Sequence, residues 1–448
     1  MTRSSKRSRA LGRRVSAYAN VRFDPLRTLA DWPIKGQAQG LEGEVTRSLF
    51  AMVLLLTACA TSPESLGAEE DHLFVWAGAG AKEESDFLAV INADPKSSTY
   101  GEIVASMVAP GPRGGAHHTD HEMPPGGVLL ANAFGSGRTV MFDVRHPTQP
   151  KLVGSFAGAG EYNHAHSFVR LPDGNVLATY QERGHGNERA GALVKLSPMG
   201  EVLKSSDAAD PGIEPFVRPY SLAVVPSLDR VVTTSADMHA KAVSRAVQVW
   251  RLSDLSLIKT VMLPAPPKGK HNEDPAEPRL LSDGRTVVVS TFTCGLFLIK
   301  GLDGENPAAE FIHKFSDSDT CAVPVVAGRY WVQTDASIPG LISLDMSNPS
   351  RPIEVDRLVL APDELPHWIA LAPDGKRIVI SGGGKALRSR VLLAKIAPES
   401  GKLSLDPGFR SQGAARPGVS FDRAQWPHGT AGPAAPHGAV FSRGRADK

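Results

Sequence analysis

The stretch "EYNHAHSFVRLPDGNVLAT", residues 161–179, holds the unit that decides the fold. The apolar run "HSFVRL" is followed by the turn residues Pro-Asp-Gly and then by a second apolar run, "NVLAT". Two short apolar runs around a turn of this kind predict two antiparallel β-strands. His164 and His166 stand where the first of these strands begins. They belong to a site only if the same arrangement recurs elsewhere in the chain.

The turn does recur. Comparable turns begin at residues 172, 227, 282, 327 and 373, so that successive starts are separated by 55, 55, 45 and 46 positions. A repeat of about 40–50 residues with four short strands per unit is typical of a β-propeller blade. Two more units begin near residues 86 and 127, and no convincing amphipathic helix interrupts the series. The sequence therefore predicts an all-β fold, a seven-bladed β-propeller over residues 72–445.

The distribution of charge argues against one class of partner. The formal net charge is only +2, and residues 1–48 hold ten Lys/Arg against four Asp/Glu, which leaves 39 basic and 43 acidic residues in the rest of the chain. The predicted propeller thus lacks the positive field that nucleic acid attracts. We expect no nucleic-acid partner.

The segment "TRSLFAMVLLLTACA", residues 46–60, predicts export. Its apolar run is too short to span a bilayer and fits the core of a signal peptide. Residues 56–59, Leu-Thr-Ala-Cys, resemble a bacterial lipobox, so Cys59 is the predicted lipidation site. This interpretation makes residues 1–59 an extension plus signal peptide and residues 60–71 a linker, with the protein lipid-anchored in the periplasm or at the cell surface. An ordinary secretory signal or an N-terminal helix is the alternative.

Residues 1–44 contain no apolar signal core, and a translation start near Val45 or Met52 is a further hypothesis. Beyond Cys59, the cysteines are Cys294 and Cys321. In an oxidising compartment these two can form a disulfide. Two buried free thiols, or a thiolate that binds a metal, are the alternatives.

Mostly polar residues occupy one equivalent position in five predicted blades. Seven to nine residues before the last residue of each turn stand His166, Tyr220, Glu277, Cys321 and His367. The strand before this turn is the innermost strand of its blade, next to the central channel. We therefore expect these side chains to form a ring at one rim of the channel.

Segments between residues 86 and 441 match, in chain order, a pattern known from one protein family. They are "DFLAVINADPKSSTYGEIV" (86–104), the pair His117-His118, "EPRLL" (277–281), "LISLDMSNPSRPIEVDRLVL" (341–360), "LAPDGKRIVIS" (371–381), "KLSLDPGF" (402–409) and "PHGAVF" (436–441). Together they resemble the selenium-binding protein/methanethiol oxidase family over roughly residues 70–440. The Cys-x-x-Cys that follows the paired histidines in that family is absent here.

The resemblance implies a seven-bladed propeller and, as in the methanethiol oxidases, copper bound by histidines. It also implies the oxidation of methanethiol with O₂ and water to formaldehyde, hydrogen sulfide and hydrogen peroxide. His118, His166 and His437 stand at positions where the family has histidines. The implied substrate is methanethiol or a related small thiol.

Six histidines are the predicted metal ligands, because imidazole suits copper, zinc, iron and nickel. They are His117, His118, His164, His166, His367 and His437. Glu277 is the predicted catalytic group, as a base or as a residue that orients a ligand. The alternative for each histidine is a hydrogen-bonded structural role. The alternative for the whole protein is a non-catalytic propeller that binds a ligand, a metal or a protein partner at the channel mouth.

Overall fold

The computed structural model describes residues 71–184, 189–213, 216–239, 242–382 and 390–443. The signal segment, Cys59 and residues 60–70 of the predicted linker lie outside these described residues. The chain divides into one unit of residues Met1–Glu64 and a second of residues Ser65–Lys448, and the second contains all the elements below. Within the described ranges the regular structure is β-strand, apart from two short 3₁₀ helices at Phe134–Ser136 and Pro226–Leu228.

The described strands form seven antiparallel sheets of at least four strands, and each sheet is one blade. The first blade, from the channel outward, consists of β31 (Ala434–Phe441), β1 (His72–Ala79), β2 (Phe87–Asn92) and β3 (Ile103–Val108). The second consists of β4 (Ala116–Thr119), β5 (Val128–Ala133), β6 (Arg138–Asp143) and β7 (Lys151–Ala157). The third consists of β8 (Tyr162–Arg170), β9 (Val176–Arg183), β10 (Ala192–Leu196) and β11 (Val202–Asp207).

The other four blades follow in the same way around the ring. The fourth consists of β12 (Pro219–Val225), β13 (Arg230–Ser235), β14 (Ala246–Arg251) and β15 (Leu257–Met262). The fifth consists of β16 (Pro275–Leu280), β17 (Val287–Thr291), β18 (Gly295–Lys300) and β19 (Ala308–Lys314). The sixth consists of β20 (Cys321–Ala327), β21 (Tyr330–Asp335), β22 (Gly340–Asp345) and β23 (Ile353–Val359).

The seventh blade has an additional short strand. It consists of β24 (Pro366–Leu371), β25 (Arg377–Gly382), β26 (Arg390–Ile396) and β27 (Leu403–Leu405), with β28 (Val419–Ser420) paired to β26. A separate hairpin joins β29 (Gln425–Trp426) to β30 (Gly429–Thr430). The prediction of an all-β, seven-bladed propeller is confirmed.

The ring is closed by the two ends of the described chain. β31, the last strand, is the innermost strand of the first blade and pairs with β1, the first strand. Each innermost strand packs against the innermost strand of the next blade, from β31 through β4 to β24 and back to β31. β1 was not among the strands expected from the sequence, which started the first unit at β2. The sequence around β1 gives no sign of this pairing, because the partner strand β31 is contributed by the other end of the chain.

The pattern of burial explains why the sequence reads as short apolar runs. The inner three strands of a blade lie between neighbouring blades, so both of their faces are covered, whereas the outermost strand faces solvent. In the third blade, β9 and β10 are almost wholly buried and β11 is exposed or half-buried. Large side chains fill the space between blades, as where Trp76 and Phe142 meet with ring centroids 5.6 Å apart. Burial of such a side chain contributes about 1.5–3 kcal/mol.

A disulfide joins the fifth and sixth blades. Cys294 lies in the turn between β17 and β18, and Cys321 begins β20. Their Cα atoms are 5.1 Å apart, and both residues are fully buried. Because its sulfur is bonded to Cys294, Cys321 is not an open metal ligand, although it holds the ring position expected for it.

Among the described residues, no helix has the length and apolar character that crossing a membrane requires.

Candidate metal centre

Two adjacent histidines of β4, His117 and His118, approach each other closely. Successive side chains of a regular strand point to opposite faces. The pairing of β4 with β5 shifts register between Ala116 and Thr119, and a bulge of this kind re-aims the side chains within it. The two rings therefore lie with centroids 4.1 Å apart.

His437 reaches the same place from the closing strand, β31. Its ring centroid is 4.3 Å from that of His117. A Cβ atom on the neighbouring Gly438 would lie 2.6 Å from Thr119 N and 2.8 Å from His117 O. The close approach of β31 to β4 therefore requires glycine at this position.

His166 completes the group from β8. Its ring centroid is 4.3 Å from that of His118 and 4.9 Å from that of His117. His166 Nδ1 lies 2.7 Å from Tyr220 O, and a carbonyl oxygen only accepts, so Nδ1 donates this hydrogen bond. The second nitrogen, Nε2, consequently carries a lone pair, and it has no hydrogen-bond partner among the residues that the structure describes. The side chains of His117, His118, His166 and His437 are called the inner cluster below.

The inner cluster is held in the neutral state. Burial lowers the pKa of His166 to about 3. Burial, reinforced by the neighbouring imidazoles, holds the pKa of His117, His118 and His437 well below the usual 6.5. Neutral imidazoles keep a lone pair, which is the form that binds a metal ion.

The inner cluster fits a transition-metal ion. One ring nitrogen from each of His117, His118 and His166 lies within 4.8 Å of the other two. Within the described part of the chain, four buried ring nitrogens of the cluster lack a hydrogen-bond partner: His117 Nδ1, His118 Nε2, His166 Nε2 and His437 Nδ1. Leaving such groups unpaired in the interior costs about 1–3 kcal/mol each. A bound cation would remove this cost, and a donor set made of imidazoles suits copper, zinc or nickel.

The other two predicted histidine ligands are placed differently. His367 borders the inner cluster, with its ring centroid 4.9 Å from that of His437 and 6.5 Å from that of His117. His164 points elsewhere, toward Glu182 and His239, with its Nε2 3.3 Å from Glu182 Oε1. The sequence grouped His164 with His166, but the left-handed backbone at His164, with φ of 59°, turns its side chain away.

Glu277 lies near the inner cluster but is not part of it, and the side chain of His121 is close to both. Its Oε2 accepts hydrogen bonds from Ser221 Oγ at 2.7 Å and from Arg279 Nη1 at 2.6 Å. His121 Nε2 is 4.0 Å from the same oxygen, and the His121 ring centroid is 6.2 Å from that of His118. Glu277 Oε1 is buried without a hydrogen-bond partner in the described ranges. His121 is thus adjacent both to this carboxylate and to the His118 ring, without a hydrogen bond to Glu277.

The polar side chains that the sequence placed at the rim of the channel lie deeper, inside the protein. His118, His166 and Glu277 are fully buried. The sequence also assigned His121 to a loop outside the site, whereas its ring stacks on Trp368 at 4.5 Å with an interplanar angle of 5°. The motif "HHTDH", residues 117–121, was the available signal for this third histidine.

A cavity of about 290 Å³ reaches His367. Apolar side chains form much of its wall: Phe292, Leu360, Ile380 and Leu392. Glu364 and Arg390, which form an ion pair with each other, also line it. The cavity offers a small, largely apolar molecule a place beside His367.

Comparison with known proteins shows what the chain resembles. No protein-family model matches it. The chain is 26% identical to a methanethiol oxidase from Hyphomicrobium sp over 353 residues, which span 69% of this chain and 75% of that protein. This match confirms the resemblance noted in the sequence.

Solved structures confirm the architecture. A hypothetical selenium-binding protein from Sulfolobus tokodaii superposes with a TM-score of 0.68 at 17% identity, covering 83% of this chain and 94% of that one. A periplasmic gluconolactonase from Pseudomonas aeruginosa superposes with a TM-score of 0.58 at 12% identity, covering 83% and 99%. Identities this low carry the fold and not the activity.

Proposed function

We propose that this chain, a seven-bladed propeller of the selenium-binding protein/methanethiol oxidase type, is a copper-dependent oxidase of methanethiol or a related small thiol. One observation carries the proposal: neutral imidazoles of β4 and β8, those of His117, His118 and His166, bring ring nitrogens within 4.8 Å of one another, and the His437 ring of β31 lies beside them. The relative that the sequence matches is named a methanethiol oxidase.

The donor set favours copper among the candidate ions. Imidazole nitrogens bind copper, zinc and nickel, and affinity for divalent ions rises to its maximum at copper. Bound there by His117, His118, His166 and His437, copper would supply reversible one-electron redox chemistry and affinity for sulfur. Zinc has no redox chemistry, so it would not support oxidation of a thiol.

The protein's own groups account for binding and proton transfer. The cavity beside His367 is large enough for a small substrate, and apolar side chains form much of its wall. A thiol must lose its proton to bind as a thiolate. We assign Glu277 as the proton acceptor, acting through His121, since a carboxylate with one unpartnered oxygen can take up a proton without breaking its bonds to Ser221 and Arg279.

Metal analysis of the purified protein tests the proposal. Copper-loaded protein should hold at least one copper per chain and release sulfide and peroxide from methanethiol in the presence of O₂. His166→Ala should lose one copper per chain and the activity, while His146→Ala, at an exposed loop position, should lose neither. Copper-free protein after loading would support the alternative, a non-catalytic propeller that binds a ligand or a partner. Copper bound without turnover would indicate a metal carrier.

We also propose that the protein is exported and lipid-anchored through Cys59. The apolar segment before Cys59 supports export, and the Cys294–Cys321 disulfide suits an oxidising compartment. The anchor is tested by labelling cells with a radioactive fatty acid. Label should appear in the wild-type protein and disappear in Cys59→Ala, and an unlabelled wild-type protein would contradict the anchor.

A further inference from the structure

A second group of metal-binding side chains lies next to the inner cluster and is not part of it. It consists of His164 on β8, Glu182 on β9 and His239 in the segment after β13. One ligand atom from each lies within 4.8 Å of the other two. These three side chains are called the outer site.

The backbone at His164 is strained, and this conformation directs its ring toward Glu182. His164 has a φ of 59°, in the left-handed region that a residue with a Cβ adopts only at a cost of about 1–3 kcal/mol. Its Nδ1 donates a hydrogen bond to Phe134 O at 2.8 Å, which fixes the ring. The opposite nitrogen, Nε2, is thereby turned toward Glu182 Oε1 at 3.3 Å.

The contact between His164 and Glu182 needs a positive charge. When the His164 ring carries its single proton on Nδ1, Nε2 is an acceptor, and the Glu182 carboxylate also only accepts. Two acceptors at this distance need a cation or an additional proton between them. Glu182 is only 3% exposed, and its Oε2 has no hydrogen-bond partner in the part of the chain that the structure describes.

We propose that the outer site binds a divalent transition-metal ion through His164, Glu182 and His239. Two imidazoles and one carboxylate are a common ligand set for zinc and for other first-row ions. His239 is exposed, so the site opens to solvent and keeps coordination positions free for water or a small ligand.

The outer site is separate from the inner cluster. The ring of Phe134 lies between them, with its centroid 5.2 Å from that of His164 and 5.7 Å from that of His166. The two sites also differ in chemistry, because the outer one includes a carboxylate and an exposed imidazole. The outer site therefore does not depend on the function proposed for the inner cluster.

Zinc binding to the full chain tests this inference. The probe is Zn²⁺ alone, measured by equilibrium dialysis and elemental analysis at neutral pH. His239→Ala should bind about one zinc ion per chain fewer than the wild type, or bind it about tenfold more weakly or worse. Because His239 is exposed, this change should leave the fold intact. His146→Ala is the matched control, an exposed histidine on the loop after β6, and should bind as the wild type does.

Two further variants distinguish the sites. Glu182→Gln should also lose the outer ion, whereas His166→Ala should keep it even if the inner cluster no longer binds metal. Equal zinc content and affinity in the wild type and in His239→Ala would overturn the inference. That result would make the His164–Glu182 contact an ion pair with a protonated imidazole and nothing more.

Discussion

The inner cluster should make the metal-free protein unusually sensitive to mild acid. The side chains of His118, His166 and His437 are buried and that of His117 is half-buried, and the pKa values of all four lie below 6.5 in the folded state. In the unfolded chain they return to about 6.5. Below that pH the unfolded state binds more protons than the folded state, so the free energy of unfolding falls as the pH falls.

The magnitude follows from the number of groups. Each histidine that takes up a proton on unfolding lowers the free energy of unfolding by about 1.4 kcal/mol per pH unit. Four such groups give roughly 5 kcal/mol per pH unit below about pH 6. Whole domains are stable by only about 5–15 kcal/mol, so metal-free protein should unfold about two to three pH units below neutrality. Bound copper should protect the fold, since the ion competes with protons for the same nitrogens.

Urea unfolding of the metal-free protein at several pH values measures this slope. His166→Gln should reduce it by about 1.4 kcal/mol per pH unit, because one titrating group is removed while the amide can still donate to Tyr220 O. His146→Ala, at an exposed position, should leave the slope unchanged. If His166→Gln and the wild type show the same slope, or if the wild-type slope corresponds to less than about one proton, the cluster is not neutral and buried as described.

Three further predictions concern single contacts. Replacing Cys294 and Cys321 together with alanine should lower the free energy of unfolding by about 3.5 kcal/mol, since the disulfide closes a loop with a sequence separation of 27; a loss under about 1 kcal/mol in a denaturation curve would contradict this. Gly438→Ala should weaken copper binding about tenfold or more, because its Cβ would press on Thr119 N and move β31 away from β4; unchanged affinity by competitive titration would show that the strands can adjust freely. Glu277→Gln should retain copper and reduce thiol oxidation about 100-fold, and equal turnover would remove Glu277 from the proton path.

The architecture was readable from the sequence because its cause is local and repeated. Each blade needs apolar strands joined by a tight turn, and the turns beginning at 172 and 373 show this directly. The equivalent position in the strand that precedes each turn also predicted that His166, Glu277 and His367 lie on innermost strands, where the structure has them. Periodicity was sufficient for these residues because a propeller repeats the same geometry in each blade.

Which histidines form the site depended on local irregularities of the backbone that do not repeat from blade to blade. A bulge in β4 brings His117 and His118 together, and a left-handed residue sends His164 away from His166. Neither follows from strand alternation, because each replaces the regular backbone at a single point. His121 was missed for the same reason, since the turn after β4 folds it back onto Trp368.

The sequence by itself determined the blades, their number and the set of histidines available to the channel. Only the tertiary structure decided which of them meet. His437 joins His117 because the last strand closes the first blade, and Gly438 lets the two strands approach. Ring closure is a property of the whole chain, so no local stretch of sequence encodes the distance between its two ends.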